Sequence, residues 1–134
     1  MGSQPVTLLD TCAWLWLIED PSKFSPKAMR RLRADPNLYV SAISFWEVAL
    51  LVTRKRVELE YPLDEWVRRA TEGDLVQVVS LTSKAALAAG GSGMDWEHRD
   101  PADRLIVATA REHNCPLITS DRAMRAFDGV NTIW

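Results

Sequence analysis

Cysteine and histidine are scarce in this 134-residue chain, which has two of each. Cys12 and Cys115 lie far apart and outside any CxxC pair. That excludes a disulfide framework and a Cys/His zinc site. Two free thiols point to a reducing, cytoplasmic setting, and both are expected to be small buried apolar groups. Long apolar runs are also missing. The longest, Val6–Ile18, is broken by Thr7, Asp10 and Thr11, so neither a membrane span nor a secretory leader is expected. An excess of one charge is missing too. Sixteen basic and eighteen acidic residues give a net charge of −2. A polycationic nucleic-acid coat is thereby excluded, whereas a local basic patch is not. There is no repeat and no low-complexity tract, and Gly90-Gly91-Ser92-Gly93 is short enough to be a loop inside one domain.

The residues that are present make an ordinary globular composition, 47% hydrophobic and 25% charged. Residues 1–134 read as a single domain with a full core of its own. Strand-like and helix-like stretches alternate along it. Val6–Leu9, Leu38–Ala42, Leu75–Val79 and Pro116–Thr119 are predicted strands, with Val130–Trp134 a last edge strand. Cys12–Ile18, Pro26–Ala34, Ser44–Lys55, Leu63–Gly73, Thr82–Ala89, Pro101–His113 and the short Asp121–Phe127 are predicted helices. Such alternation predicts an α/β layer fold with a mainly parallel sheet.

In a parallel sheet every strand-to-helix junction lies on one edge, the carboxyl edge, where open α/β folds bind ligands. Asp10, Glu47 and Asp121 follow predicted strands, and Asp103 lies in the first turn of Pro101–His113. Four acids distant in sequence can therefore converge. Each also has a plain structural reading. Ser44-Phe45-Trp46-Glu47 fits a capping box, and Asp100-Pro101-Ala102-Asp103 is a good helix start. Asp10 and Asp121 fit as N-caps. The surroundings favour more than capping. Glu47 and Asp103 rise from apolar helix patterns, and Asp10 interrupts an apolar stretch. Clustered, poorly solvated carboxylates call for a cation, and an all-oxygen set selects Mg²⁺ or Mn²⁺ over zinc.

Four stretches carry a family resemblance: Leu8-Leu9-Asp10-Thr11 with Trp14-Leu15-Trp16, Val40–Glu47, His98–Ala110, and Leu117-Ile118-Thr119-Ser120-Asp121. In this order and spacing the chain resembles a PIN domain, and within that superfamily the VapC-type toxins of toxin–antitoxin pairs. The resemblance implies a five-stranded, mostly parallel sheet between helices and a Mg²⁺- or Mn²⁺-dependent endoribonuclease. It implies that Asp10, Glu47 and Asp103 are the core metal-binding acids, with Asp121 the fourth. Thr119 matches a supporting hydroxyl, and Asp100 matches an acid that either supports the site or caps the helix. A cognate antitoxin protein and an RNA substrate are the implied partners. Two departures stand out: Cys12 replaces a common histidine, and Gly90–Glu97 is unlike the shorter loop expected there. Asp95 and Glu97 in that loop read as solvated charges.

RNA approaching an acidic mouth needs cations elsewhere. Arg30, Arg31 and Arg33, Arg54–Arg56, and Arg68 with Arg69 are the candidate clusters. Trp14, Trp46 and Trp66 fit core or interface packing better than base stacking. Apolar helix surface makes a homodimer the expected assembly. The competing readings are a phosphoryl-transfer domain, a non-catalytic binding module and a DNA-directed nuclease. The first needs a lysine opposite its aspartate, and all four lysines lie away from the Leu117–Asp121 segment. The second predicts missing acids, and all four are present.

Overall fold

The computed structural model describes residues 6–91 and 93–134. In chain order the elements are β1 (Thr7–Leu9), α1 (Thr11–Glu19), α2 (Pro26–Ala34), β2 (Leu38–Ser41), α3 (Ala42–Thr53), α4 (Leu63–Ala70), β3 (Gln77–Val79), α5 (Ser83–Gly90), α6 (Pro101–Glu112), β4 (Leu117–Ile118), α7 (Arg122–Ala126) and β5 (Thr132–Ile133). Short 3-10 turns occupy Pro21–Lys23 and Glu72–Asp74. All four strand pairings are parallel, in the order β3-β2-β1-β4-β5. The sheet therefore winds one way from β1 through β2 to β3, and the other way into β4 and β5. The point of reversal lies between β1 and β4, and a crevice at their carboxyl ends follows from it.

Strand alternation sends neighbouring side chains to opposite faces. Leu9, Val40 and Ile118 join a core with Trp14, Val48 and Trp66 under α1, α3 and α4. Leu8 and Leu117 join a second core with Ile106, Val107 and Met124 under α6 and α7. Burial on both faces is why these strands are short, nearly continuous apolar runs.

Several boundaries differ from expectation. The helix predicted to reach Gly73 stops at Ala70, because Gly73 adopts φ +64 in the turn that follows. The capping box at Ser44 does not form. Helix α3 starts earlier, with Ser41 as N-cap, and Ser41 Oγ accepts from the Ile43 amide at 3.2 Å. Ser44 lies inside the helix and its hydroxyl is free for another task. At the other end α3 closes in a Schellman turn. The Lys55 amide donates to Val52 O at 3.0 Å and the Arg56 amide to Leu51 O at 2.8 Å, with Lys55 at φ 56. Cys115 is buried as expected, but Cys12 is exposed, with its thiol partly desolvated beside the site's acids.

Candidate active site

Each acid reaches the carboxyl edge by its own route. Asp10 follows β1 and caps α1, its Oδ1 accepting from the Ala13 amide at 2.7 Å. Its other oxygen, Oδ2, accepts from the Thr119 hydroxyl at 2.5 Å across the β1–β4 junction. Thr119 is fully buried and also accepts from the Asp121 amide at 3.0 Å. Asp121 caps α7 through the Met124 amide at 3.0 Å. Thr119 thus ties the first acid to the last.

Glu47 stands one turn into α3, half-buried. The Thr11 hydroxyl donates to Glu47 Oε1, and Ser44 Oγ lies 2.9 Å from Thr11 Oγ1. With the Thr11 proton committed to Glu47, Ser44 is the donor in that second contact. The serine read from sequence as a cap instead steadies the hydroxyl that steadies Glu47.

Asp103 opens α6 beside its N-cap Asp100, whose Oδ1 accepts from the Asp103 amide at 3.0 Å. His98 Nε2 is hydrogen-bonded to Asp103 Oδ2 at 2.7 Å. The loop before α6 holds this histidine in place. Arg104 donates to the carbonyls of Ala89 (2.6 Å), Trp96 (2.6 Å) and His98 (2.9 Å). Trp96 stacks between His98, 4.7 Å away, and Phe127, 5.0 Å away. Gly93 is required where the loop crosses α5, because a Cβ there would lie 2.5 Å from Ala88 Cα. The long loop is therefore a brace for His98. Asp95 and Glu97 are exposed, as expected; Ser92 lies outside the described residues.

Carboxylate oxygens of Glu47, Asp100 and Asp103 lie within 4.8 Å of one another. Asp100, expected as a support or cap, is thus both a cap and a member of the tightest trio. Asp10 sits deeper, only 6% exposed. Burial pushes its carboxyl up to about 7; the Thr119 and Ala13 hydrogen bonds oppose this, and Asp103 and Asp121 add to it. Burial likewise raises Glu47, against its bond from Thr11, with Asp103 and Asp100 adding to the rise. Burial raises Asp103, against its bond to His98, with Asp100 and Asp121 adding. The Cys12 thiol is pushed up to about 12, by desolvation first and then by Asp10, Glu47, Asp103 and Asp121.

The donor set fits a hard divalent cation. It is all carboxylate oxygen and mutually repelling, with Asp10 buried, Glu47 and Asp103 half-buried, and Asp100 and Asp121 at the exposed rim. Among the described residues no lysine or arginine pairs with Asp10, Glu47, Asp100, Asp103 or Asp121. The sequence reading missed His98, Thr11 and Ser44 as site residues. All three stand inside the stretches that carried the resemblance, but only the fold shows what they touch.

With this α/β fold, the chain belongs to the PIN-domain family, whose model matches residues 7–130. It is 35% identical over 119 residues to Ribonuclease VapC22 of Mycobacterium tuberculosis, covering 89% of each chain. Its fold is similar to that of a chain in the promoter-DNA-bound VapBC2 structure from Rickettsia felis (TM-score 0.70, 13% identity, 95% and 96% of the two chains covered). It is similar also to a chain of DNA-bound VapBC from Salmonella typhimurium (TM-score 0.66, 18% identity, 96% and 97% covered).

Proposed function

We propose that this chain is a Mg²⁺- or Mn²⁺-dependent endoribonuclease of the VapC type, acting in the cytoplasm as the toxin of a toxin–antitoxin pair. The observation that carries the reading is the convergence of five carboxylates at one sheet edge, three of them within 4.8 Å, with no basic side chain among the described residues paired to them beyond His98. The 35% identity to a named ribonuclease supports it.

In this reading Asp10, Glu47 and Asp103 hold the ion, Asp121 is the fourth acid, and Asp100 is an outer ligand as well as a cap. When bound, the ion supplies an activated water and neutralises charge developing on the phosphate. The chain itself supplies positioning. Thr119 and the Ala13 amide fix Asp10, Thr11 and Ser44 fix Glu47, and His98 fixes Asp103. With each carboxylate held by a second group, little reorganisation is left for the moment of reaction.

The antitoxin partner is supported by relatives solved as toxin–antitoxin complexes. A homodimer is supported by apolar surface on the sheet edge and α5, where Val78 is 51% and Leu87 77% exposed. Among the described residues no helix is long and apolar enough to cross a membrane.

The test is cleavage of single-stranded RNA by purified protein. Cleavage is expected in millimolar Mn²⁺ or Mg²⁺ and none in EDTA, with a rise in melting temperature when either ion is added. Expression alone should arrest growth of a bacterial host, and co-expression of the cognate antitoxin should relieve it. Folded protein that leaves RNA intact with both ions would refute the enzymatic reading.

A further inference from the structure

Helix α3 carries a large aromatic that the cores leave out. Trp14 and Trp66 are buried, at 0% and 1% exposure, with ring centroids 5.0 Å apart. Trp46, expected in a core or an interface, is 52% exposed and so lies outside both cores. A cleft of about 340 Å³ opens beside it, lined by Trp46, Glu47, Leu50, Arg54, Arg56 and Asp100 among others. Trp46, Leu50 and Arg54 recur at i, i+4 and i+8, so they form one stripe along the helix surface. The stripe spans roughly 12 Å, from the indole beside Glu47 to the guanidinium at the C-cap. The Schellman turn at Lys55 then fixes the direction in which Arg56 leaves the helix. Arg54 and Arg56 are exposed and make no ion pair with any carboxylate among the described residues.

One cleft thus has two of the site's own carboxylates at one end, a bare indole beside them, and two uncommitted cations at the other. We infer that Trp46 is a stacking platform for one unpaired nucleobase next to the scissile phosphate, with Arg54 and Arg56 taking the neighbouring phosphates. The inference rests on the ribonuclease reading and extends it to how the substrate is held. A single nucleic-acid strand brings both a flat ring for the indole and phosphates for the two cations, which is the pairing this cleft offers. A duplex keeps its bases stacked on each other, so the platform selects single-stranded RNA. Stacking on an aromatic tolerates any base, so the subsite contributes affinity and strand selection more than sequence choice. Trp46 acts here as a substrate-binding residue, with no part in the chemical step.

The experiment uses a fluorescein-labelled, unstructured 12-nucleotide RNA and the full chain carrying Asp10→Asn to suppress turnover. Anisotropy titrations compare that parent with versions also carrying Trp46→Ala, Trp46→Phe, or Arg54→Ala with Arg56→Ala. Trp46→Ala is expected to weaken binding by about tenfold, and Trp46→Phe to recover most of that. The double arginine change should lower the slope of log affinity against log salt by roughly 1.4, two phosphates' worth on a single strand. An RNA whose nucleotides are all abasic should bind the parent more weakly and be indifferent to Trp46→Ala. The inference is overturned if the parent fails to bind the RNA, if Trp46→Ala binds like the parent, or if it loses equally on abasic RNA. It is also overturned if Trp46→Ala changes the sedimentation state, which would make the indole a subunit contact. Cleavage of the same RNA by the chain with its acids intact is scored separately. Binding that depends on Trp46 without cleavage sinks the ribonuclease reading alone, and cleavage without that dependence sinks the stacking platform alone.

Discussion

Two buried aspartates stand at opposite ends of β1. Asp10 is 6% exposed and Asp35 is 5% exposed. Their immediate partners are nearly the same. Each accepts from a threonine hydroxyl, Thr119 for Asp10 and Thr7 for Asp35, and each accepts from one backbone amide at 2.7 Å, Ala13 or Asn37. What differs is the charge beyond. Asp35 has Arg31 Nη2 3.7 Å from its Oδ2, and the Arg31 Nε donates to the same Thr7 hydroxyl at 2.9 Å. Asp10 has only further acids, Asp103 and Asp121. Hydrogen bonding alone therefore does not separate a structural carboxylate from a functional one. The sign of the next charge does. At the amino edge the charge is closed within the protein, and at the carboxyl edge the neighbouring charges are themselves acidic, the arrangement that the proposed cation would complete.

The comparison is broken most strongly by exchanging the charge at each end. Asp10→Asn keeps an N-cap oxygen and the Thr119 partner, so urea melts should show stability kept or raised. Cleavage should fall roughly 10³-fold for want of a ligand charge. Asp35→Ala should do the reverse. It strips partners from Thr7, the Asn37 amide and Arg31, and should cost about 3 kcal/mol of stability in a urea melt. Its cleavage rate per folded molecule should be unchanged. A third test uses pH. Asp10 has its folded value raised from 3.8 to about 7, so the folded chain binds the proton more tightly than the unfolded chain. Its stabilising contribution is complete below pH 4 and is lost as pH climbs through 7. In EDTA the melting temperature should therefore carry a component falling by about 5 °C between pH 5 and 7.5. Asp10→Asn should remove that component, and millimolar Mn²⁺ should mask it. The smallest effect serves as a control away from both aspartates. Lys55 sits at φ 56, where glycine is unstrained, so Lys55→Gly should raise stability by about 0.5–1 kcal/mol with the pH slope intact.

The layer order was readable because apolar runs and helix signals alternate without ambiguity, and the junction acids followed from it. The details that failed are ones where local pattern is degenerate. Ser41 and Ser44 both precede plausible helix starts, and only the length of β2 decides that Ser41 caps. Helix α3 is apolar nearly all round, so no periodicity distinguishes the buried Val48 from the exposed Trp46. His98 lies five residues from Asp103 across a loop, and nothing in that spacing shows that Arg104 and Trp96 fold the loop back. Asp35 was passed over for the same reason, since its partners Thr7 and Arg31 are joined to it only by packing of α2 against β1.

The bond from Thr119 to Asp10 joins residues 109 positions apart. A chain growing on the ribosome carries Asp10 and Glu47 well before Thr119 exists, and Asp103 shortly before it. Until β4 slides in beside β1, Asp10 lacks the hydroxyl that orients it, and Asp121 is missing altogether. Completion of the acidic mouth is thereby coupled to the docking of β4 beside β1, so the site forms when the sheet does. Having the acids in the chain is therefore not enough for the site: the sheet must first be joined across its middle.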